Sequence, residues 1–294
     1  MKNYIEKHPF TMIVVGVIGI SLSSILVRYS SAPSALTAAW RLIWTVILMT
    51  PVVLGKASVR RELRNMTRKQ VGLSVLSGLF LAVHFAVWFE SLQHTSVASS
   101  TTIVCTEVIW VSLGYCLFLK GTLSKKAVAA IGVTLAGSIV IAISDSAVGE
   151  AHFYGDMLAL LAAVAVAVYT LIGRVVRTDV STTAYTYLVY AACGAVLSLL
   201  CVLQGYGFFA YGVSGILVGL LLALFSTILG HSIFSWCLKY FSPSFVSASK
   251  LCEPVAAAAM AAVLFGESMT AMQVIGGILI LGGVLYYSRT EQPE

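Results

Sequence analysis

The sequence predicts an all-α membrane protein: ten transmembrane helices in a 5+5 inverted-repeat bundle. Three observations support this prediction. The 294 residues are 59% hydrophobic and 10% charged, with a mean hydropathy of +0.94, which is more apolar surface than a soluble domain can bury. The apolar residues form ten stretches, each about long enough to span a bilayer as a helix. The two halves of the chain also resemble one another.

The ten apolar stretches predict the transmembrane helices in chain order. They cover residues 10–27, 33–54, 71–91, 97–119, 126–144, 155–173, 181–204, 213–235, 244–265 and 271–288. The first stretch follows two lysines, as the core of a signal peptide would. It is longer than an ordinary signal-peptide core, and Arg28 precedes the small residues that follow. We therefore expect an uncleaved first span.

The basic residues predict the orientation in the membrane. With the N-terminus inside, 15 of the 18 Lys and Arg residues fall on the inner side, and Arg28 alone falls on the outer side. The inner set is Lys2, Lys7, Lys56, Arg60, Arg61, Arg64, Arg68, Lys69, Lys120, Lys125, Lys126, Arg174, Arg177, Lys239 and Arg289. We expect a multi-pass protein of the inner membrane with both termini cytoplasmic. The net charge of +6 then reflects orientation, and we expect no nucleic-acid partner.

The chain resembles itself at an offset of 146 residues. This offset aligns Arg28 with Arg174 and Glu107 with Glu253, and it places VASSTTIVCTEVIW over PSFVSASKLCEPVA. Five spans per half is an odd number, so the halves must cross the membrane in opposite senses. Such inverted repeats are typical of secondary transporters, whose substrate site lies at mid-depth between the halves. We expect the first repeat at residues 1–147 and the second at 148–294.

The ninth apolar stretch carries charges near its middle. Lys250 and Glu253 are three residues apart and are expected to share a helix face, with Pro254 beside them. Ionisable groups at this depth usually mark a transport pathway. The pair could open when a substrate or proton competes for one partner. It could instead be a structural bridge from the ninth span to the fourth or eighth, or Lys250 could reach the cytoplasmic surface.

Two further charges are predicted inside the membrane. Glu107 is the repeat mate of Glu253, and a carboxyl group in apolar surroundings can exchange a proton near neutral pH. Alternatively, Glu107 is a protonated acid bonded across a helix interface. Arg41, in the second span, is a candidate counter-ion for Glu107 or for a substrate carboxylate. It could also extend outward to the membrane surface.

Histidines and aromatic residues complete the set of candidate substrate-binding residues. His84, His231 and Glu90 could offer polar contacts to a cavity, although a histidine among apolar residues more often serves packing. An aromatic wall suited to planar or cationic substrates could contain Trp88, Trp110, Trp236 and Tyr169. Trp and Tyr also gather at membrane interfaces, which would explain Trp88 and Trp236 near span ends. The six cysteines lack metal-ligand spacing and are interpreted as small apolar residues, so we expect no metal.

Several segments together resemble a known family. GLFLAVHFAVWFESLQHTSVASSTTIV, LLAAVAVAVYTLIGRVVR, HSIFSWCLKYFSPSFVSASKLCEPVAAAAMAAVLFGE and MQVIGGILILGGV are similar to the EamA branch of the drug/metabolite transporter superfamily. The resemblance implies a ten-span inverted-repeat fold and a cavity lined by spans one, three, four, six, eight and nine. It also implies a carrier of small metabolites, often an exporter. Span one lacks the family's tryptophan, and Val108 stands where the second repeat has Pro254, which suggests a straighter span four.

The expected function is secondary transport. Neither a nucleotide-binding loop nor a hydrolase motif occurs in the sequence, so we expect no cofactor, no enzyme activity and transport driven by a gradient. We expect a small polar or amphipathic metabolite, such as an amino acid, to be exported by alternating access, with protons as a possible coupling ion. The alternatives are an intramembrane enzyme that uses the buried glutamates and a membrane sensor that does not transport.

Overall fold

The computed structural model describes residues 9–27, 29–95, 100, 103–145, 153–265 and 270–290, and these ranges contain no β-strand. Lys2, Lys7 and Arg28, which entered the orientation argument, lie outside the described residues. The helices are α1 (Pro9–Val27), α2 (Ser34–Gly55), α3 (Ala57–Asn65), α4 (Arg68–His94), α5 (Glu107–Phe118), α6 (Lys125–Asp145), α7 (Phe153–Arg177), α8 (Thr182–Leu203), α9 (Gly212–Leu221), a π-helical segment (Leu222–His231, the π segment), α10 (Ser232–Cys237), α11 (Pro243–Lys250), α12 (Glu253–Phe265) and α13 (Ala271–Ser288).

Within the described ranges, seven helical segments are long and apolar enough to cross a membrane. One of them runs unbroken over Gly212–Cys237, through α9, the π segment and α10. The fourth predicted span appears as a shorter apolar helix, Ile103–Phe118, and the ninth is divided into α11 and α12. The structure therefore shows a multi-pass all-helical protein, while the count of ten spans stays a prediction.

Spans four and nine are both interrupted just before their glutamates, and the predicted difference in straightness between them stays a prediction. A turn at Thr106 precedes Glu107, and a turn over Leu251 and Cys252 precedes Glu253. Pro254 has no N–H with which to continue α11, which explains the second turn. The first turn forms without a proline. Each glutamate therefore lies at the N-terminus of a helix that starts inside the bundle.

Helix packing follows a regular pattern. Helix α4 packs along α7, and α1 packs along the π segment in the corresponding way. Likewise α5 contacts α7 as α12 contacts α1, and α8 contacts α4 as α2 contacts α9. Two further extensive pairs join equivalent helices, α6 with α13 and α2 with α8. Adding 146 to the residue numbers of the first half maps each of these pairings onto another pairing or onto itself.

The π segment meets α1 at two glycines. A Cβ atom on Gly19 would lie 2.8 Å from the carbonyl oxygen of Phe225 and 2.9 Å from the backbone nitrogen of Gly230. A Cβ atom on Gly230 would lie 2.7 Å from a methyl group of Ile20. Only glycines let the two backbones approach this closely. This contact determines the position along the two helices at which α1 and the π segment cross, beside the cavity.

Helix α3 was not among the predicted elements. It is a short amphipathic helix whose Val59 is buried while Arg61 and Arg64 are exposed. Its acid is engaged by the second half, because Glu62 accepts hydrogen bonds from the backbone N–H of Ser181 at 2.6 Å and from its hydroxyl at 2.5 Å. Since Ser181 is the N-cap of α8, a carboxylate there stabilises the start of that helix. Helix α3 therefore ties the two halves together.

Candidate functional site

A cavity lies between the two halves, and helices of both halves line it. It contains about 760 Å³ of empty space, including the part continuous with its opening. Its walls come from the helices and turns of predicted spans one, two, three, four, six, eight and nine. The lining residues are Ile20, Ser23, Arg41, His84, Phe85, Trp88, Val104, Cys105, Glu107, Val166, Ser226, His231, Phe234, Ser247, Lys250, Leu251 and Glu253.

Lys250 pairs with Glu107. Its ammonium nitrogen donates to Oε1 of Glu107 at 2.9 Å, and the two side chains are only 14% and 8% exposed. The expected pairing of Lys250 with Glu253 is therefore wrong, because α11 ends at Lys250 and packs on α5, which carries Glu107. The alternative in which Lys250 reaches the membrane surface is also wrong. The geometry is that of a bridge from the ninth predicted span to the fourth.

Glu253 lines the same cavity without such a pair. Among the described residues no hydrogen bond or ion pair reaches its carboxylate, although Ser21 donates to its backbone carbonyl at 3.3 Å. The repeat explains this difference. The residue 146 positions before Lys250 is Val104, so the first half offers no lysine to Glu253 where the second half offers one to Glu107. Equivalent acids therefore sit in unequal surroundings.

Arg41 is buried beside the cavity. It is 2% exposed, its Nε donates to the hydroxyl of Thr227 at 2.6 Å, and its guanidinium carbon lies 4.8 Å from the centre of the Phe85 ring. The idea that Arg41 extends outward to the membrane surface is therefore wrong. Its expected pairing with Glu107 is also not seen, because Glu107 is occupied by Lys250 and no carboxylate in the described part of the chain pairs with Arg41.

The histidines and Trp88 form one aromatic wall of the cavity. The rings of His84 and Trp88 are stacked with centroids 5.9 Å apart, and His231 meets Phe85 edge-on at 5.8 Å. Nδ1 of His84 is 3.0 Å from the carbonyl oxygen of Ala162. Since a carbonyl only accepts, Nδ1 is the donor, and a neutral His84 keeps Nε2 as an acceptor.

Four other candidates lie outside the cavity lining, and Trp110 is one of them. The hydroxyl of Tyr169 bonds to that of Ser235 at 3.0 Å, and its ring meets His231 edge-on at 6.4 Å, so Tyr169 stands just behind the wall. Trp236 packs on Tyr240 with ring centroids 4.3 Å apart. Glu90 is exposed and pairs with His94 at 3.1 Å on its own helix. The structure does not bring Trp236 or Glu90 to the cavity.

Sequence reasoning missed the serines of the cavity. Ser226 and Ser247 are fully buried, and their hydroxyl oxygens have no hydrogen-bond partner among the described residues. The indole nitrogen of Trp88 and Nη2 of Arg41 are buried and unpartnered in the same way. Such orphaned groups are costly unless water or a ligand satisfies them. A lone serine in an apolar stretch is a weak signal in sequence, which is why it gave no prediction.

The lining repeats at the same offset as the sequence. Six pairs of described lining residues are 146 positions apart: Ile20 with Val166, Phe85 with His231, Trp88 with Phe234, Val104 with Lys250, Cys105 with Leu251, and Glu107 with Glu253. Both halves thus contribute equivalent positions to one chamber. The chemistry within most pairs differs.

The profile of the EamA-like transporter family matches this chain twice, over residues 9–143 and 153–289. Each match contains one of the two cavity glutamates. This chain belongs to the EamA-like transporter family.

Two further comparisons agree with this assignment. The EamA-like transporter is 24% identical over 255 residues to an uncharacterized transporter of Clostridium kluyveri, which covers 84% of this chain and 81% of the relative. A crystal structure that is 17% identical in sequence superposes on this EamA-like transporter with a TM-score of 0.79 and covers 97% of each chain. That likeness supports the fold alone. The family supports a membrane transporter of small molecules.

Proposed function

We propose that this EamA-like transporter is a secondary carrier that moves a small polar or amphipathic metabolite, such as an amino acid, by alternating access through the cavity between its halves. The observation that carries the proposal is the cavity itself. It lies inside the bundle, it is lined by equivalent positions of both halves, and it holds ionisable groups, which at membrane depth usually mark a transport pathway. Export and residence in the inner membrane rest on the resemblance to exporters of the family.

Two oppositely oriented repeats, residues 1–147 and 148–294, are part of the proposal. The helix pairings and the cavity lining both repeat at the 146-residue offset, which supports two equivalent halves around one chamber. Carriers of this kind expose a fixed site to each side by rocking one half against the other. Helix pairs that join equivalent helices, such as α2 with α8, would stay near the axis of that motion.

Glu253 is proposed as the coupling residue. Its carboxylate has no ion-pair partner in the described part of the chain, so it can exchange a proton with the cavity without breaking a bridge. Glu107 is less suited to this role because its proton would have to displace the bond from Lys250 at 2.9 Å. A cationic group of the substrate would compete with the proton at Glu253. That competition is the differential interaction that an antiporter needs.

We propose that the structure represents a state closed at the predicted cytoplasmic end. There, the hydroxyl of Tyr169 bonds to that of Ser235, whose carbonyl oxygen accepts from Nε of Arg177 at 3.1 Å. Arg174 donates to the carbonyl oxygen of Leu238 at 2.7 Å. These bonds tie α7 to the end of α10 within the second half, so opening this end requires a rearrangement inside that half in addition to the rocking of the two halves.

Counterflow in proteoliposomes tests the proposal. Vesicles loaded with an unlabelled amino acid should accumulate the same radiolabelled amino acid from outside, for at least one member of a panel of the twenty protein amino acids. The Val166→Trp variant should abolish this uptake because Val166 lines the cavity. The Leu117→Trp variant should retain it, since Leu117 is 65% exposed on the outer surface of the bundle.

The same assay separates the rival functions. A sensor or an intramembrane enzyme could bind an amino acid, but it would produce no counterflow. If no amino acid exchanges, or if Val166→Trp carries substrate as well as the unchanged protein does, the proposed pathway is wrong.

A further inference from the structure

The guanidinium of Arg41 is incompletely satisfied. It is 98% buried, since 2% of its surface is exposed, and its Nε is used by Thr227. Nη2 has no hydrogen-bond partner among the described residues. An arginine side chain does not lose its proton in a protein, so this group cannot become neutral as a buried carboxylic acid can. A buried charge without a partner is unfavourable unless an anion accompanies it.

Two other unpartnered polar groups lie on the segments that hold Arg41. Ser226 precedes Thr227, the residue that bonds Arg41, and its buried hydroxyl lines the cavity without a partner in the described ranges. Trp88 lies one helical turn beyond Phe85, whose ring lies beneath the guanidinium, and its indole N–H is unpartnered in the same sense. All three groups can donate hydrogen bonds, and all three residues line the same cavity.

We propose that Arg41, Ser226 and Trp88 form a subsite for the anionic group of the substrate, and that this group is a carboxylate. A guanidinium with a free nitrogen, a hydroxyl and an indole N–H is a set of donors suited to an oxyanion. One positive charge matches a carboxylate monoanion. A phosphate monoester carries close to two negative charges. Its second charge would be unmatched by Arg41 and would enter a cavity that already contains the carboxylate of Glu253. The inference deepens the proposed function and rests on it.

The consequence for substrate choice is definite. Compounds with a free carboxylate should bind, and the same compounds as amides should not, because an amide leaves Arg41 unpaired. Sites that hydrogen-bond a substrate group reject analogues without it far more strongly than apolar pockets reject a missing methylene group. The preference should persist when Glu253 is replaced, since Glu253 takes no part in the subsite.

Thermal stabilisation of the purified protein tests the subsite. The probes are the twenty protein L-α-amino acids, butyrate and phenylacetate, each with the amide of its α-carboxylate or single carboxylate. A ligand that binds the folded state raises the melting temperature, whatever its rate of transport. At least one carboxylate should raise the melting temperature of the unchanged protein, and its amide should do so much less. Stabilisation by no carboxylate, or equal stabilisation by the amide, would overturn the inference.

Variants connect the preference to the named residues. Arg41→Gln should weaken carboxylate binding about 10- to 100-fold, the usual range for a lost charge-assisted hydrogen bond. Ser226→Ala is a second variant that should not disturb the fold, since the hydroxyl oxygen that it removes has no hydrogen-bond partner in the described structure. It should leave the melting temperature of the ligand-free protein unchanged or higher while weakening carboxylate binding. Arg64→Gln, on exposed α3, is the matched control and should bind as the unchanged protein does.

The two proposals fail in different ways. Loss of counterflow with retained carboxylate-selective binding would remove the carrier function and leave the subsite. Counterflow of amides and phosphate monoesters as fast as that of carboxylates would leave the carrier and remove the subsite. An Arg41→Gln or Ser226→Ala protein that binds carboxylates with unchanged affinity would also contradict the assignment.

Discussion

Glu107 and Glu253 occupy equivalent positions of the two halves and differ because of one neighbouring residue. Lys250 bonds Glu107, whereas Val104, its counterpart in the first half, leaves Glu253 without an ion pair in the described chain. A charged pair in a low-dielectric interior is stabilised by mutual attraction, whereas a lone carboxylate there lacks that compensation. The two acids should therefore respond differently to substitution.

Replacement of Glu253 by Gln should make transport insensitive to pH. Glutamine resembles the protonated carboxyl group in size and polarity but cannot release a proton. In counterflow or gradient-driven flux measured from acidic to alkaline pH, the unchanged protein should show a titration that the Glu253→Gln variant lacks. A variant whose flux follows the same pH profile as the unchanged protein would show that another group couples the proton.

Replacement of Glu107 by Gln should instead destabilise the fold. It leaves the ammonium group of Lys250 buried without its counter-ion, a change that costs about 3–5 kcal/mol in other proteins. Exchange of both partners, in Glu107→Gln with Lys250→Met, should restore most of the loss because no unpaired charge remains. Thermal melting of the unchanged protein, the single variant and the double variant in one detergent gives the comparison. Equal melting temperatures for Glu107→Gln and the unchanged protein would argue against the bridge.

At this scale the sequence was informative about which charged residues line the cavity but not about how they pair. Rare charges in apolar stretches indicated Glu107, Glu253, Lys250 and Arg41, and all four line the cavity. The pairing of Lys250 depends on the packing of α11 on α5, a contact between positions 143 residues apart. Local spacing favoured the neighbour three residues away, and the turn after Lys250 removed the shared helix face.

The π segment is the element that shapes the cavity wall. In a π-helix the backbone bonds span five residues instead of four, and such segments often occur at functional sites. Here Thr227 contacts Leu222 and Ser232, each five residues away, while it also receives the bond from Arg41. LALFSTILGH fits an ordinary helix equally well, so this local change was not predictable from periodicity.

Addition of a methyl group at Gly19 should separate α1 from the π segment. The new Cβ would lie less than 3.0 Å from three backbone atoms, which neither helix can accommodate without moving. Gly19→Ala should therefore lower stability by about 1–3 kcal/mol, the usual cost of overpacking. Gly282→Ala is the matched control, because nothing lies within 4 Å of its added methyl group and alanine favours helices. Equal melting temperatures for the two variants would contradict the close contact.

The sequence of helix α3 contains a recognisable amphipathic pattern, which a search for apolar stretches alone does not detect. Val59 and Leu63 are four residues apart, with Arg60, Arg61 and Arg64 between and after them, which is the spacing of an amphipathic helix. A search for spans alone assigns such a short polar stretch to a loop. Its role in capping α8 through Glu62 depends on tertiary structure and could not be predicted from the sequence.

At the scale of the whole molecule, the internal offset was the most informative sequence feature. A shift of 146 residues relates both the helix pairings and six pairs of cavity residues, although few of those pairs are identical in residue type. The resemblance therefore survives as geometry where the chemistry has diverged. Positions that are equivalent in the fold but hold different residue types cannot be recognised by comparing the two halves of the sequence alone.

The predicted orientation can be tested with single cysteines in a variant without the native ones. Arg64→Cys lies on exposed α3, and Phe209→Cys replaces a side chain that is 76% exposed in the connection between α8 and α9. If the N-terminus is cytoplasmic, a membrane-impermeant maleimide should label Arg64→Cys only in inside-out vesicles and Phe209→Cys only in right-side-out vesicles. The opposite pattern would invert the topology, and labelling of both from one side would contradict the predicted number of crossings between them.

The single lysine bridge has a thermodynamic consequence for any rocking cycle. If the halves exchange conformations as one side closes and the other opens, a perfectly duplicated protein would have two end states of equal free energy. Lys250 breaks that degeneracy, because the half that carries the bridge and the half that carries Val104 never become interchangeable. The substrate-free protein would then favour the conformation that is open to one side of the membrane. This bias would be measurable as unequal substrate affinities on the two sides.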